Sequence, residues 1–349
     1  MTRAKKYGPT SDLLKAIIDA ELSQVSKKVY IERLRTMVRE FDTNVYWIIT
    51  HPDEVLKWIA KKSDVLSTQK SYIISVMAVF KHNEGLKAQQ DKYYQIWFKK
   101  FSEIDEAITK RYKTNEPSER QLNAYVPFRD IVKKRDSLES GTMDKLLLGF
   151  YTHIRPLRAD FNAVFLYGVG EGMGGALPKN EKDREANYIV VESSTKAKLV
   201  LHEFKTQRSH PDFNKDLPIE LVKELHTSLK KLPREWLFVD KSGKPYKAAN
   251  SYTRWANRAL LRLFGKALTI TLIRHSYISS LDQNVLTTLE KEEIAKEMAH
   301  SRGMQELYRF VDKGGVGKGG GDSANVDDIL ESSDVSEKDE ESGEGDEKK

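Results

Sequence analysis

Tyr151-Thr152-His153-Ile154-Arg155-Pro156-Leu157-Arg158-Ala159-Asp160-Phe161 closes a helical pattern that runs from Thr142 to Tyr151 and places two arginines around a proline. Its counterpart, Thr271-Leu272-Ile273-Arg274-His275-Ser276-Tyr277, lies more than a hundred positions on, and the chain continues to His300 and Tyr308. Between them the pattern changes. Tyr188-Ile189-Val190-Val191 and Lys198-Leu199-Val200-Leu201 are β-branched or aliphatic runs, followed by Glu203-Phe204-Lys205-Thr206. They predict a small antiparallel sheet or hairpin. Helical periodicity returns after Leu217-Pro218 through Leu229, then at Ala248–Leu263, Thr271–Gln283 and Lys291–Ala299. The fold class is therefore mainly α with a small antiparallel β-sheet (α+β).

Upstream, residues 1–115 read as a bundle of four or five helices. Ser11-Asp12 caps the first, which carries Leu13, Leu14, Ile17, Ile18 and Leu22. Further segments hold Tyr30, Leu34, Met37, Val38 and Phe41; then Asp53–Lys62 after Pro52; then Thr68–His82; then Tyr93–Tyr112. The polar stretch Lys113–Ser118 contains Pro117 and marks a hinge. Helical patterning resumes at Glu119–Arg135. The expected division is 1–115, 116–312, and a tail at 313–349 that is glycine-rich, then acidic and disordered. Gly168–Gly175 lacks the Gly-Lys-Ser/Thr ending of a phosphate-binding loop and reads as a connection.

Composition narrows the class. The 349 residues are 39% hydrophobic and 32% charged. No apolar run of about 18 residues is present, so no membrane span is expected. Basic Met1–Lys6 is not followed by an apolar stretch, which argues against a secretory signal. With no cysteine, disulfides and cysteine-based zinc sites are excluded, which fits a reducing intracellular compartment. His51, His82, His153, His202, His210 and His226 show no metal-ligand spacing. Neither metal nor cofactor is expected. The net charge of +6 is unevenly spread: residues 322–349 hold twelve acidic and three basic side chains, net −9, which leaves +15 on residues 1–321. A body this basic attracts polyanions. Basic pairs such as Lys27-Lys28, Lys61-Lys62 and Lys99-Lys100 suit a DNA backbone when spread over a bundle, though each alone is a solvated face.

Two distant arginines, a histidine and a tyrosine suit metal-free cleavage of a phosphodiester. Guanidiniums stay charged and make paired hydrogen bonds to phosphate. Placed beforehand, they stabilise the charge that develops on the non-bridging oxygens. A phenol can attack phosphorus to form a phosphotyrosine, and a lysine can protonate the leaving 5′ oxygen. Because the ester bond energy is retained, rejoining needs no ATP.

Over residues 120–312 these motifs resemble the tyrosine recombinase (phage-type integrase) family, in particular the branch of large DNA viruses, virophages and related mobile elements. Residues 1–115 are similar only in helical layout. The resemblance implies an N-terminal helical core-binding domain and a C-terminal catalytic domain clamped around double-stranded DNA, with four protomers on two duplexes. It implies Arg158 as the first catalytic arginine, with Asp160 as the supporting acid and Arg155 as a rival for the arginine role. It implies Lys205 as general acid, Arg274 as the second arginine, His300 as a phosphate ligand and Tyr308 as the nucleophile. Two departures stand out. Thr271 occupies a position usually held by histidine, and a threonine hydroxyl donates a hydrogen bond but shuttles no proton near neutral pH. The interval from His300 to Tyr308 is one residue short of the common spacing. His275 is expected to face elsewhere on its helix.

Singly, each residue has a structural reading. Arg158 pairs with Asp160, Lys205 is an exposed strand lysine, His300 caps a helix, and Tyr308 is a core aromatic. Their order along the chain carries the specificity. The expected function is site-specific recombination or integration at DNA inside a cell. Alternatives are a type IB topoisomerase-like relaxing enzyme, a catalytically inactive DNA-binding protein of the same fold, and a basic packaging protein. The acidic tail is expected to shield the basic body until DNA displaces it.

Overall fold

Apolar periodicity up to Lys113 resolves into helices in a computed structural model that describes residues 10–168, 173–204, 206–207 and 212–310. The chain forms two compact units, dividing between Lys113 and Thr114. The first holds α1 (Thr10–Asp19), α2 (Gln24–Glu40), α3 (Val45–Thr50), α4 (Pro52–Lys62), α5 (Leu66–His82), α6 (Leu86–Gln89) and α7 (Asp91–Lys113). The expected four or five helices miss α3 and α6, which are too short to show periodicity. Local chemistry makes them instead. Asn44 caps α3 by accepting from the Trp47 N–H at 2.9 Å, and Gly85 enters α6 with φ +74°. The expected cap at Ser11-Asp12 is corrected: α1 already begins at Thr10.

Helix α5 is buried on more than one face through Tyr72, Ile73, Val76, Val79 and Phe80, which marks it as the centre of this unit. Leu34, Met37, Ile48, Ile49 and Trp97 complete the core at 0% exposure. Each such side chain stabilises by about 1.5–3 kcal/mol on burial. The Trp97 indole N–H is satisfied by the Ile49 carbonyl at 3.0 Å. Lys70, nearly buried, is neutralised by Asp105 at 3.0 Å.

The second unit opens with α8 (Glu119–Ala124) and α9 (Phe128–Ser137) in place of the single expected segment at 119–135. Pro127 disfavours helical backbone at the residue before it, and Tyr125 is already extended. Next come α10 (Met143–Thr152), β1 (Phe165–Gly168), β2 (Asn187–Ser193), β3 (Lys196–Leu201) and β4 (Phe213–Asp216). The unit closes with α11 (Ile219–Lys231), α12 (Ala249–Phe264), α13 (Ile270–Ser280), α14 (Thr288–Glu297) and α15 (Arg302–Tyr308). The four strands form one sheet in sequence order. The expected hairpin is β2 against β3, with Val190 opposite Lys198, and β4 adds an antiparallel partner to β3. The sheet is nevertheless mixed, not antiparallel, because β1 runs parallel to β2. Strand β1 has only four residues and little alternation to betray it. The main core joins Leu146, Leu147, Phe150 and Tyr151 of α10 to Leu166, Ile189 and Leu199 of the sheet.

Candidate active site

Helix α10 delivers Tyr151 into the core, and Tyr151 fixes the irregular stretch that carries Arg158. The buried Tyr151 hydroxyl donates to the Arg158 carbonyl at 3.0 Å and lies 3.4 Å from the Tyr252 hydroxyl. Phe161 packs edge-on against Phe150 and Tyr151, with ring centroids at 5.0 and 5.4 Å. Burial pushes the Tyr151 and Tyr252 phenols far above the usual range, and the charge of nearby Asp160 adds to this. Both remain neutral hydrogen-bonding struts. Arg158 itself is 8% exposed, and its Nη1 donates to the Ala299 carbonyl at 2.8 Å.

Helix α13, capped by Thr269, carries Arg274 wholly inside the unit at 0% exposure. Its Nη2 lies 3.1 Å from His300 Nδ1 and donates more loosely to the Met298 carbonyl at 3.5 Å. Its guanidinium carbon sits 4.8 Å from the centroid of the Tyr308 ring. The imidazole of His300 is 5.4 Å from the same ring, centroid to centroid. Arg158, Arg274, His300 and Tyr308 therefore meet around one turn, Met298-Ala299-His300.

That turn ends α14. The Ala299 N–H donates to the Lys296 carbonyl and the His300 N–H to the Ala295 carbonyl, both at 3.1 Å. This pattern normally uses glycine at the left-handed position, and here Ala299 adopts φ +52°. The inward carbonyl of Ala299 accepts from Arg158 and also from Thr206 Oγ1 at 2.9 Å. Ser301 then caps α15 by accepting from the Met304 N–H, and α15 ends on Tyr308 at 3% exposure.

His275, expected to face elsewhere on its helix than Thr271, meets the backbone of the tyrosine segment. Its Nδ1 lies 2.8 Å from the Tyr308 carbonyl, and its ring stacks on Phe310 at 4.3 Å with a 10° tilt. The Phe310 N–H donates to Ser279 Oγ at 2.8 Å, and Asn115 Nδ2 donates to the Glu306 and Arg309 carbonyls. The tyrosine segment is thus tied from several sides.

Arg155 is engaged elsewhere. It pairs with Glu297 at 3.3 Å, and Glu297 also holds Lys215 at 2.5 Å. Thr271 is half-buried on α13, close to one helical turn before Arg274. Lys205 lies outside the described residues, as do the acidic tail and residues 169–172 of the glycine-rich loop; its sequence neighbours Phe204 and Thr206 are buried. Sequence reasoning missed Tyr151, Thr206, His275 and Ala299 as site residues. The capping box Thr287–Glu290 foretells α14, but alanine gives no sign of a left-handed stop where glycine would.

Among the described residues no group of three or more histidine, cysteine or acidic side chains is placed to hold a metal, and no helix is long and apolar enough to cross a membrane. What the cluster offers is two guanidiniums, an imidazole and a phenol in a site from which water is largely excluded. Such a set suits an oxyanion far better than a neutral ligand.

No family model matches the chain, and no curated protein does. Among solved structures it is similar to the crystal structure of XerA recombinase at 12% identity and a TM-score of 0.37, covering 95% of this chain and 99% of that one. A likeness that distant assigns neither activity nor partner to this chain.

Proposed function

We propose that this protein breaks and rejoins DNA through a phosphotyrosine, in the manner of tyrosine recombinases. The observation that carries the reading is the meeting of Arg158, Arg274, His300 and Tyr308 around the 298–300 turn. The two arginines come from segments more than a hundred residues apart, and a packing role alone does not call for two guanidiniums beside a phenol.

In this reading Arg158, Arg274 and His300 hold the scissile phosphate, and Thr271 donates a further hydrogen bond. The Tyr308 oxygen attacks phosphorus. The phosphorus bonds to the phenol oxygen and stays attached to the 3′ oxygen as its bond to the 5′ oxygen breaks; the phenol proton leaves to solvent, and Lys205 supplies the proton that the 5′ oxygen takes up. Attack by a 5′ hydroxyl reverses each step. The guanidiniums act because they lie in place before the trigonal-bipyramidal transition state gathers its charge. Arg274 and Tyr308 are buried in the arrangement described, so DNA binding must open the cluster before phosphate enters. Exposed Lys28, Arg35, Arg39, Lys61, Lys62 and Lys99 of the first unit supply backbone contacts. Recombination by four protomers on two duplexes extends the same chemistry.

Short nicked duplexes of randomised sequence, in which the cleaved strand diffuses away, trap such an intermediate. Wild-type protein is expected to yield a denaturant-resistant protein–DNA adduct, and Tyr308→Phe none. Tight duplex binding with no wild-type adduct would instead favour a DNA-binding protein that does not cut, the reading to which the threonine at 271 lends weight.

A further inference from the structure

The turn after α14 does more than stop a helix. A glycine at position 299 would adopt φ +52° without steric cost, whereas an L-residue is strained there. Ala299 is 4% exposed and belongs to the main core of its unit, which holds the strained backbone in place. The consequence is a carbonyl aimed inward. It gathers Arg158 from 141 positions upstream and Thr206 from 93 positions upstream. The preceding carbonyl, Met298, and the following side chain, His300, both meet Arg274. A single three-residue turn thus receives both guanidiniums and a hydroxyl from the segment after β3.

We propose that Ala299 is a positioning residue: its inward carbonyl sets the plane of the Arg158 guanidinium and couples it to Thr206, so that a phosphate meets a prearranged arginine. This rests on reading the site as a phosphodiester-cleaving centre. A guanidinium is planar, and a bidentate grip on phosphate depends on the tilt of that plane. A carbonyl fixed at both ends, by core packing of the methyl and by two donors, defines the tilt before substrate arrives.

The test uses full-length protein and nicked duplexes that wild type cleaves, with either an ordinary phosphate or a methylphosphonate at the scissile position. A methylphosphonate is uncharged, so it depends less on a guanidinium. Ala299→Val cannot hold the left-handed backbone and swings the carbonyl, whereas Ala299→Gly keeps it. Ala299→Val is expected to slow adduct formation on the phosphate by about ten- to a hundredfold, the scale of a misplaced positioning group. Its loss on the methylphosphonate is expected to be clearly smaller, and Ala299→Gly is expected to restore cleavage. Thermal melting reports whether each variant folds. If Ala299→Val does not fold, Thr206→Val against Thr206→Ser poses the same comparison from the other side of the carbonyl. A wild-type rate for a folded Ala299→Val, or equal losses on the two substrates, overturns the inference alone. No adduct from wild type on any duplex overturns the reading of the site and the inference with it.

Discussion

Arg158 and Arg155 show how one residue is separated from its rival. Both flank Pro156-Leu157, yet Arg158 is buried and bonded to the Ala299 carbonyl, while Arg155 forms a partly exposed ion pair with Glu297. A pair of that kind contributes at most about 1 kcal/mol. Under the proposed function Arg158→Lys keeps the charge but loses the fork, and single-turnover cleavage is expected to fall by about 10²–10³-fold. Arg155→Gln is expected to change it by no more than about fivefold, the scale of the ion pair it removes. Similar losses for the two substitutions would show that the arginine assignment is wrong. His275 belongs to this scale as well: it holds the backbone of Tyr308 rather than a phosphate, a duty set by where α15 returns to α13.

At the scale of elements, α10 links the site to the stability of its unit. Its amino end is capped by Thr142, and its carboxyl end is capped at His153, beside Arg135. Burial first, and the Arg135 charge second, lower the His153 pKa below 6.5 despite the opposing pull of Glu220, Asp136 and Glu224. The unfolded chain then binds a proton more readily than the folded one. The stabilisation is fully present above pH 6.5 and is lost as pH falls through the lowered folded value. Wild-type melting temperature is therefore expected to drop between about pH 7.5 and about pH 5.5, and His153→Gln to flatten that drop. Parallel curves for the two proteins would remove His153 from the account.

At the scale of the whole molecule, charge is divided along the chain. Residues 1–321 carry +15 and residues 322–349 carry −9. Under the proposed function, attraction of the body to duplex DNA involves release of counterions and weakens steeply with salt. If the acidic segment competes for the same basic surface, deleting residues 322–349 is expected to tighten nonspecific duplex binding at low salt. The difference should fade as the ionic strength rises past about 0.15 M, where the Debye length is about 8 Å. Unchanged low-salt binding after the deletion would show that the segment does not shield the body.

The sequence by itself determined what depends on nearest neighbours. Helical periodicity located α2, α4, α5 and α7, Thr142 announced α10, and two β-branched runs announced the central hairpin, because each signal is local. Pro127 carried the break between α8 and α9 in plain view, yet the apolar pattern around it hid the break. Strand β1 escaped notice because four residues gain their identity only by pairing with β2. The resemblance to tyrosine recombinase motifs, taken in their order along the chain, nominated Arg158, Lys205, Arg274, His300 and Tyr308. Tertiary structure alone decided that Arg158, Arg274, His300 and Tyr308 meet, that Arg155 turns to Glu297, and that His275 turns to Tyr308. It alone decided that a carbonyl of Ala299, which no side-chain code announces, joins segments far apart in sequence. The reason is physical: helix and strand signals are written in residues a few positions apart, whereas a buried guanidinium must find its acceptor wherever the folded core places one.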